Sequence, residues 1–363
     1  MPVWSPEQER ALSAVAAWLK EPRAQLFRLF GYAGTGKSTL ARHIAESVDG
    51  EVVFGAFTGK AALVMRSKGC KDARTIHSLI YRATDSETEE PSFELNEESE
   101  AAKATLIIID ECSMVDEELG RDLLSFGKKV LVLGDPAQLP PVKGGGFFTE
   151  AEPDVMLTEV HRQAADNPIV RLSMIIREGG RLDYGVYGET QVVRRDGLDP
   201  SLVTGADQVL VGLNRTRRAY NARLRQLRGF SGALPQTGEK LVCLRNNRKK
   251  GLLNGALFAV KSAGAVRRGK VRLLVESEET AGKLQRVGVL PQFFDGGGEE
   301  IPYAQRKDSD EFDYGYALTV HKAQGSQWDN VALFDESHAF REHRARWLYT
   351  GVTRAAQRLT VVM

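Results

Sequence analysis

The chain has 363 residues, 42% of them hydrophobic and 27% charged, with a formal net charge of +1. That balance is the ordinary one for a globular protein and excludes collagen-like, coiled-coil and low-complexity chains. No run approaches the ~18 apolar residues of a membrane span, so no membrane association is expected. The opening Met1-Pro2-Val3-Trp4-Ser5-Pro6 has no signal-peptide pattern, and the cysteines at 70, 112 and 243 lie too far apart for a disulfide frame or a zinc site. A reduced, cytoplasmic protein of two or three folding units is expected.

In chain order, Glu7 to Lys20 reads as an amphipathic helix with Leu12, Val15, Ala16 and Leu19 on one stripe. Leu26 to Phe30 reads as a strand, followed by a glycine-rich turn and a helix over Ser38 to Val48. Buried-strand runs recur at Val52 to Ala56, Leu106 to Ile109 and Val130 to Leu133. Such runs, interleaved with helices, predict a parallel sheet covered on both faces, with ligands at the carboxyl ends of its strands. From about Gly229 to Asp310 the pattern changes to short alternating segments: Lys240 to Leu244, Ala256 to Lys261 and Val271 to Val275. These predict a small antiparallel β unit. The α/β pattern returns with strands at Val331 to Phe334 and Leu359 to Val362, so the β unit is an insert in a second α/β domain.

Charge is unevenly spread. Asp85 to Glu100 holds eight acidic residues and no basic one, whereas Arg215 to Arg228 holds six arginines and no acid. The arginines either line the path of a nucleic-acid strand or solvate a helix; the sequence does not choose between these.

Three strand ends carry chemistry. Gly31-Tyr32-Ala33-Gly34-Thr35-Gly36-Lys37-Ser38 fits G-x-x-x-x-G-K-[ST], a loop whose backbone N–H groups curl around a polyphosphate at a helix N-terminus. Lys37 would reach the β and γ phosphates, and the Ser38 hydroxyl would ligate Mg²⁺. Leu106 to Ile109 ends in Asp110 and Glu111; Asp110 would hold the metal through its water shell and Glu111 would orient or deprotonate the attacking water. Val130 to Leu133 runs into Gly134-Asp135-Pro136-Ala137-Gln138-Leu139-Pro140-Pro141, whose prolines fix a loop in which Gln138 could sense the γ-phosphate.

At these strings the chain resembles the superfamily 1 helicases. Gly31 to Thr39 is similar to motif I, Asp110-Glu-Cys-Ser-Met-Val-Asp116 to motif II, and Gly134 to Val142 to motif III. Ser5-Pro-Glu-Gln8 resembles the Q motif, which implies that Gln8 reads adenine and that the nucleotide is ATP. Gly34, Thr35, Gly36, Lys37, Ser38 and Thr39 are then its binding loop. Phe57 to Ala62 and Thr75 to Ser78 resemble motifs Ia and Ib, Leu157 to Gln163 motif IV, Tyr316 to Ser326 motif V, and Tyr349 to Ala355 motif VI. The resemblance implies arginine fingers at Arg162 and Arg354, and DNA contacts from Thr58, Lys60, His77, Thr319, His321 and Lys322. His161 departs from the bulkier apolar residue common in motif IV.

Within the superfamily, Thr319-Val-His-Lys-Ala-Gln-Gly325 and the compact length look like the RecD/Dda branch. That resemblance implies two RecA-like parallel-sheet domains and 5′-to-3′ movement on single-stranded DNA. The first domain would span 1–80 and 104–180 with a pin insert at 81–103. The second would span 181–228 and 312–363 with an SH3-like β insert at 229–311. Phe93 stands where the branch carries an aromatic wedge; it either stacks on a base or anchors the hairpin to the core. A monomeric, ATP- and Mg²⁺-dependent helicase acting on single-stranded and tailed duplex DNA is expected. The alternatives are a translocase or recombination-complex subunit that does not unwind alone, and a catalytically silent DNA-binding scaffold.

Overall fold

The computed structural model describes residues 4–83, 93–141, 146–159, 166–247, 250–278 and 282–363. By their internal contacts these form two compact units. The first takes in the described residues up to Arg181 together with Ala345–Thr353; the second holds Leu182–Arg344 and Arg354–Met363.

The first unit is built on strands β1 (Leu26–Gly31), β2 (Val52–Ala56), β3 (Arg74–Thr75), β6 (Leu106–Asp110), β7 (Lys129–Gly134) and β8 (Val155–Leu157), with a short hairpin of β4 (Tyr81–Ala83) and β5 (Phe93–Leu95) between. The sheet order is β3-β2-β6-β7-β1-β8 and every pairing is parallel. Side chains two apart share a face in a strand, and the core splits accordingly. Leu106, Ile108, Leu131 and Leu133 pack with Ala11, Val15, Leu40 and Ile44 on one face. On the other face, Ile107, Ile109, Val130 and Val132 pack with Ile76, Leu79, Leu119 and Leu123. This two-faced burial is why the strands read as unbroken apolar runs.

Helix starts in this unit follow capping chemistry. Ser5 and Gln8 form a reciprocal capping box at the head of helix Pro6–Lys20, and Thr58 and Asp116 cap the helices that begin at Gly59 and Glu117. In the β4–β5 hairpin, Arg82 pairs with Glu94 at 2.6 Å. The first half of the acidic segment, 85–92, lies outside the described residues.

The second unit carries two sheets. One runs β17-β11-β18-β19-β10-β9, from β9 (Gly185–Tyr187), β10 (Thr190–Val193), β11 (Gln208–Val211), β17 (Ala317–Thr319), β18 (Trp328–Phe334) and β19 (Ala355–Val362). All its pairings are parallel except β9 with β10. The other is antiparallel, ordered β15-β14-β13-β12-β16, from β12 (Lys240–Cys243), β13 (Leu257–Arg267), β14 (Lys270–Ser277), β15 (Leu284–Val289) and β16 (Phe312–Tyr314). It reaches past residue 311 because Phe312 packs edge-on to Phe258 and β16 pairs with β12.

The arginine-rich stretch is helix Asn214–Leu227, and its buried face is Arg217, Asn221, Leu224 and Arg225. Arg217 meets Asp313 at 2.6 Å and Arg225 meets Glu239 at 2.5 Å. Arg225 also lies 3.9 Å over the Tyr314 ring. Two of the six arginines therefore neither solvate the helix nor face outward; they anchor it to the antiparallel sheet. Burial of such a charge is tolerated only when it is paired.

Candidate nucleotide-binding site

The phosphate loop leaves β1 and enters helix Lys37–Glu46. Gly34 and Gly36 sit at φ +83° and +85°, a left-handed conformation that a side chain would strain. Gly31 is required for another reason: a Cβ there would stand 2.6 Å from Thr35 Oγ1 and 2.8 Å from Leu157 Cβ. The Lys37 ammonium donates to the carbonyls of Gly31 at 2.5 Å and Tyr32 at 3.0 Å. It is thus drawn across the loop it would serve.

Asp110 ends β6 with 8% of its surface exposed. Its Oδ2 accepts from Ser38 Oγ at 3.1 Å, and its Oδ1 accepts from the Glu111 N–H at 2.8 Å. Glu111 itself is at φ +55°, ψ +46°. A non-glycine residue rarely adopts that conformation, and such strain concentrates at functional sites. Gln138 is buried, and its Oε1 has no hydrogen-bond partner among the described residues. Buried amide oxygens are usually satisfied, so this one stands out among the described residues.

Gln8 is brought to the same loop. Its Nε2 donates to the Thr35 carbonyl at 3.0 Å, while its Oε1 accepts from the Ser5 N–H at 3.1 Å. The amide therefore links the head of the first helix to the phosphate loop, a role the sequence did not suggest.

Further residues join the site without having been anticipated from sequence. Glu7 is buried and accepts from the N–H groups of Thr158 and Glu159, both at 2.8 Å, tying the end of β8 to the first helix. Arg177 lies 3.8 Å over the ring of Tyr32, the second residue of the loop. Asp135, 2% exposed, accepts from the Ala137 N–H at 3.0 Å. Tyr349 donates to Asp135 at 2.7 Å and accepts from the Ala33 N–H at 3.0 Å. Thr350 accepts from the Leu139 N–H at 2.9 Å. Asp135 and Tyr349 stand in the strings that resemble motifs III and VI, but a hydrogen bond between residues 214 positions apart gives no sequence signal of its own.

The residues expected to touch DNA differ in what they present. In the first unit, Thr58 accepts from Ala61 N–H as a helix cap, and Lys60 is buried. His77 is exposed, with its ring 6.3 Å from that of Phe57 and 5.7 Å from that of Tyr81. In the second unit, Thr319 is buried and accepts from the Lys322 N–H at 3.3 Å. His321 is half-buried with its ring 5.3 Å from Phe340, and Lys322 is exposed. Burial lowers the pKa of both histidines from the usual value, in His321 with help from His343 and in His77 against the pull of Asp116. Arg354 is buried and donates to the Ser326 carbonyl at 3.1 Å. Arg162 and the Phe93 side chain lie outside the described residues.

Among known proteins, residues 4–195 match the family model described as an AAA domain. Residues 314–362 match that of the UvrD-like helicase C-terminal domain. The chain is 30% identical to the ATP-dependent RecD2 DNA helicase of Deinococcus radiodurans, over 92% of this chain and 46% of that protein. It is 32% identical to the ATP-dependent DNA helicase dda of Enterobacteria phage T4, over 47% of this chain and 42% of that one. It thus spans less than half the length of either relative. The solved Pif1 helicase from Bacteroides, in complex with ADP-AlF3 and ssDNA, aligns with 99% of this chain and 92% of its own at a TM-score of 0.60 and 16% identity. The Candida albicans Pif1 helicase aligns with 100% of this chain and 94% of its own at 0.59 and 18%. These likenesses are of fold: an α/β chain with two RecA-like parallel sheets.

Proposed function

We propose that this chain, a member of the superfamily 1 helicases of the RecD/Dda type, hydrolyses ATP to move 5′ to 3′ along single-stranded DNA and open the duplex ahead. One juxtaposition carries the reading: Ser38 Oγ stands 3.1 Å from Asp110 Oδ2 where the phosphate loop faces the end of β6. Two hard oxygen donors beside a polyphosphate loop fit Mg²⁺, which takes few protein ligands and completes its shell with water and phosphate. Bound there, the ion would neutralise charge on the phosphates.

The chain's own groups supply the rest. Lys37 exchanges its two carbonyl partners for phosphate oxygens, and the N–H groups of Gly34, Gly36, Lys37 and Ser38 line the same anion. Glu111 orients the attacking water, and Gln138 Oε1, without a hydrogen-bond partner among the described residues, reads the terminal phosphate. Gln8 contributes by fixing the loop, with adenine as its further partner. Arg162 and Arg354 are the candidate arginine fingers, and Phe93 the candidate wedge. His77, His321 and Lys322 would meet the strand directly, with Thr58, Lys60 and Thr319 holding the turns that present them. The chain would act as a cytoplasmic monomer on single-stranded and tailed duplex DNA.

The test is ATP-driven strand displacement on duplexes with a 5′ or a 3′ single-stranded tail. Opening of the 5′-tailed substrate alone is expected. Preference for the 3′ tail would keep the motor and overturn the polarity. If neither opens while single-stranded DNA stimulates hydrolysis, the chain is a translocase or a subunit; without hydrolysis, the proposal fails.

A further inference from the structure

Tyr349 belongs to helix Arg344–Val352, and only 1% of it is exposed. Its hydroxyl accepts from the Ala33 N–H at 3.0 Å and donates to Asp135 Oδ2 at 2.7 Å. A phenol can do both at once because it carries one proton and free lone pairs. Ala33 is the third residue of the phosphate loop. Asp135 opens the loop that carries Gln138, and its backbone carbonyl accepts from the Gln138 N–H at 3.1 Å. One oxygen atom therefore joins the loop that would hold the phosphates to the loop that would sense the last of them.

Filling the core requires no hydroxyl at this place, since phenylalanine would occupy nearly the same volume. Nor does attachment of the helix depend on it: Thr350 separately accepts from the Leu139 N–H. Burial, and then Asp135, push the phenol pKa up, so the group stays a proton donor.

Resting on the ATPase reading above, we infer that Tyr349 is a positioning residue of hydrolysis: its hydroxyl locks the Asp135–Gln138 loop in register with the phosphate loop. Capture of nucleotide falls to Lys37 and the N–H groups beyond Ala33. Loss of the hydroxyl should then spare binding and slow turnover, as small misplacements of a sensing group do.

The test uses the full chain with Tyr349→Phe, Asp135→Asn and the double variant. It measures phosphate release on single-stranded DNA, affinity for a fluorescent ADP analogue, and melting temperature. The single variants should each lose about 10- to 100-fold in kcat while ADP affinity stays within about threefold. The double variant should be no slower than the slower single, because both remove one bridge. The inference is overturned if Tyr349→Phe melts lower but turns over at the wild-type rate. Parallel loss of ADP affinity and kcat, or losses that multiply in the double variant, would overturn it too. If Tyr349→Phe does not fold, Asp135→Asn decides alone, and an unchanged kcat there overturns it. A wild-type chain that hydrolyses no ATP would instead refute the ATPase reading itself.

Discussion

Lys37 shows how a single residue can be prepared for a ligand by contacts that compete with it. Its ammonium rests on the carbonyls of Gly31 and Tyr32, and exchanging those for phosphate oxygens trades neutral acceptors for charged ones, which form the stronger bonds. Lys37→Ala removes the cation at the developing charge of phosphoryl transfer and should cut ATP turnover at least roughly 100-fold. Its side chain is partly solvated and belongs to neither core cluster, so the loss in stability should stay near 0.5 kcal/mol. Phosphate release together with thermal melting checks both halves; turnover within a few-fold of wild type would remove Lys37 from the site. Glu111 makes the complementary point. Its left-handed backbone turns its own N–H onto Asp110 Oδ1, and no sequence pattern announces that angle.

At the scale of elements, helix Asn214–Leu227 stands because two of its arginines are buried in ion pairs. The Arg225 and Glu239 side chains are 9% and 0% exposed. Removing one partner leaves the other charge buried, which costs about 3–5 kcal/mol. Arg225→Ala should lose that much in urea unfolding, whereas Arg223→Ala, on the exposed face, should stay within about 0.5 kcal/mol. Equal effects would mean that the helix is held by its apolar contacts alone. The same helix marks a limit of reading from sequence. Six arginines look alike in a string, and the acids that bury two of them lie 14 and 96 residues away. In the first sheet, by contrast, β2 reads as Val52 to Ala56 to the residue, because a strand buried on both faces writes itself as an apolar run. The interior strand β11 of the second sheet is four residues long and begins with the buried Gln208, too short and too polar at its head to stand out. The phosphate loop and Asp110 were legible as motifs. Asp135 and Tyr349 lay inside motif strings too, but the contact between them was not legible, because that hydrogen bond spans 214 positions of chain.

Taken as a whole, the molecule has a net charge of only +1, so its affinity for a polyanion must come from local cations. The residues expected to meet DNA supply few of them. Lys60 is buried, and Lys322 is the exposed lysine of the set. The histidines add little charge at neutral pH. Their pKa values lie below the ordinary 6.5 because burial disfavours the imidazolium. Each is therefore neutral above that value and gains a proton only as the pH falls through its lowered pKa. Two consequences follow for single-stranded DNA binding measured by anisotropy. Between pH 7 and 8 affinity and its salt dependence should change little, since both imidazoles titrate below the ordinary 6.5 and are already mostly neutral there. Lys322→Ala should reduce the slope of log K against log salt by about 0.7, the share of one neutralised phosphate on a single strand. The loss should be equal on all sequences, because a phosphate contact carries no base information. A slope unchanged by Lys322→Ala would move the electrostatic footprint elsewhere, and the exposed arginines of helix Asn214–Leu227 would be the next to substitute. A slope that steepens toward lower pH within that range would mean the histidines meet the strand as cations, against the burial that now holds them neutral.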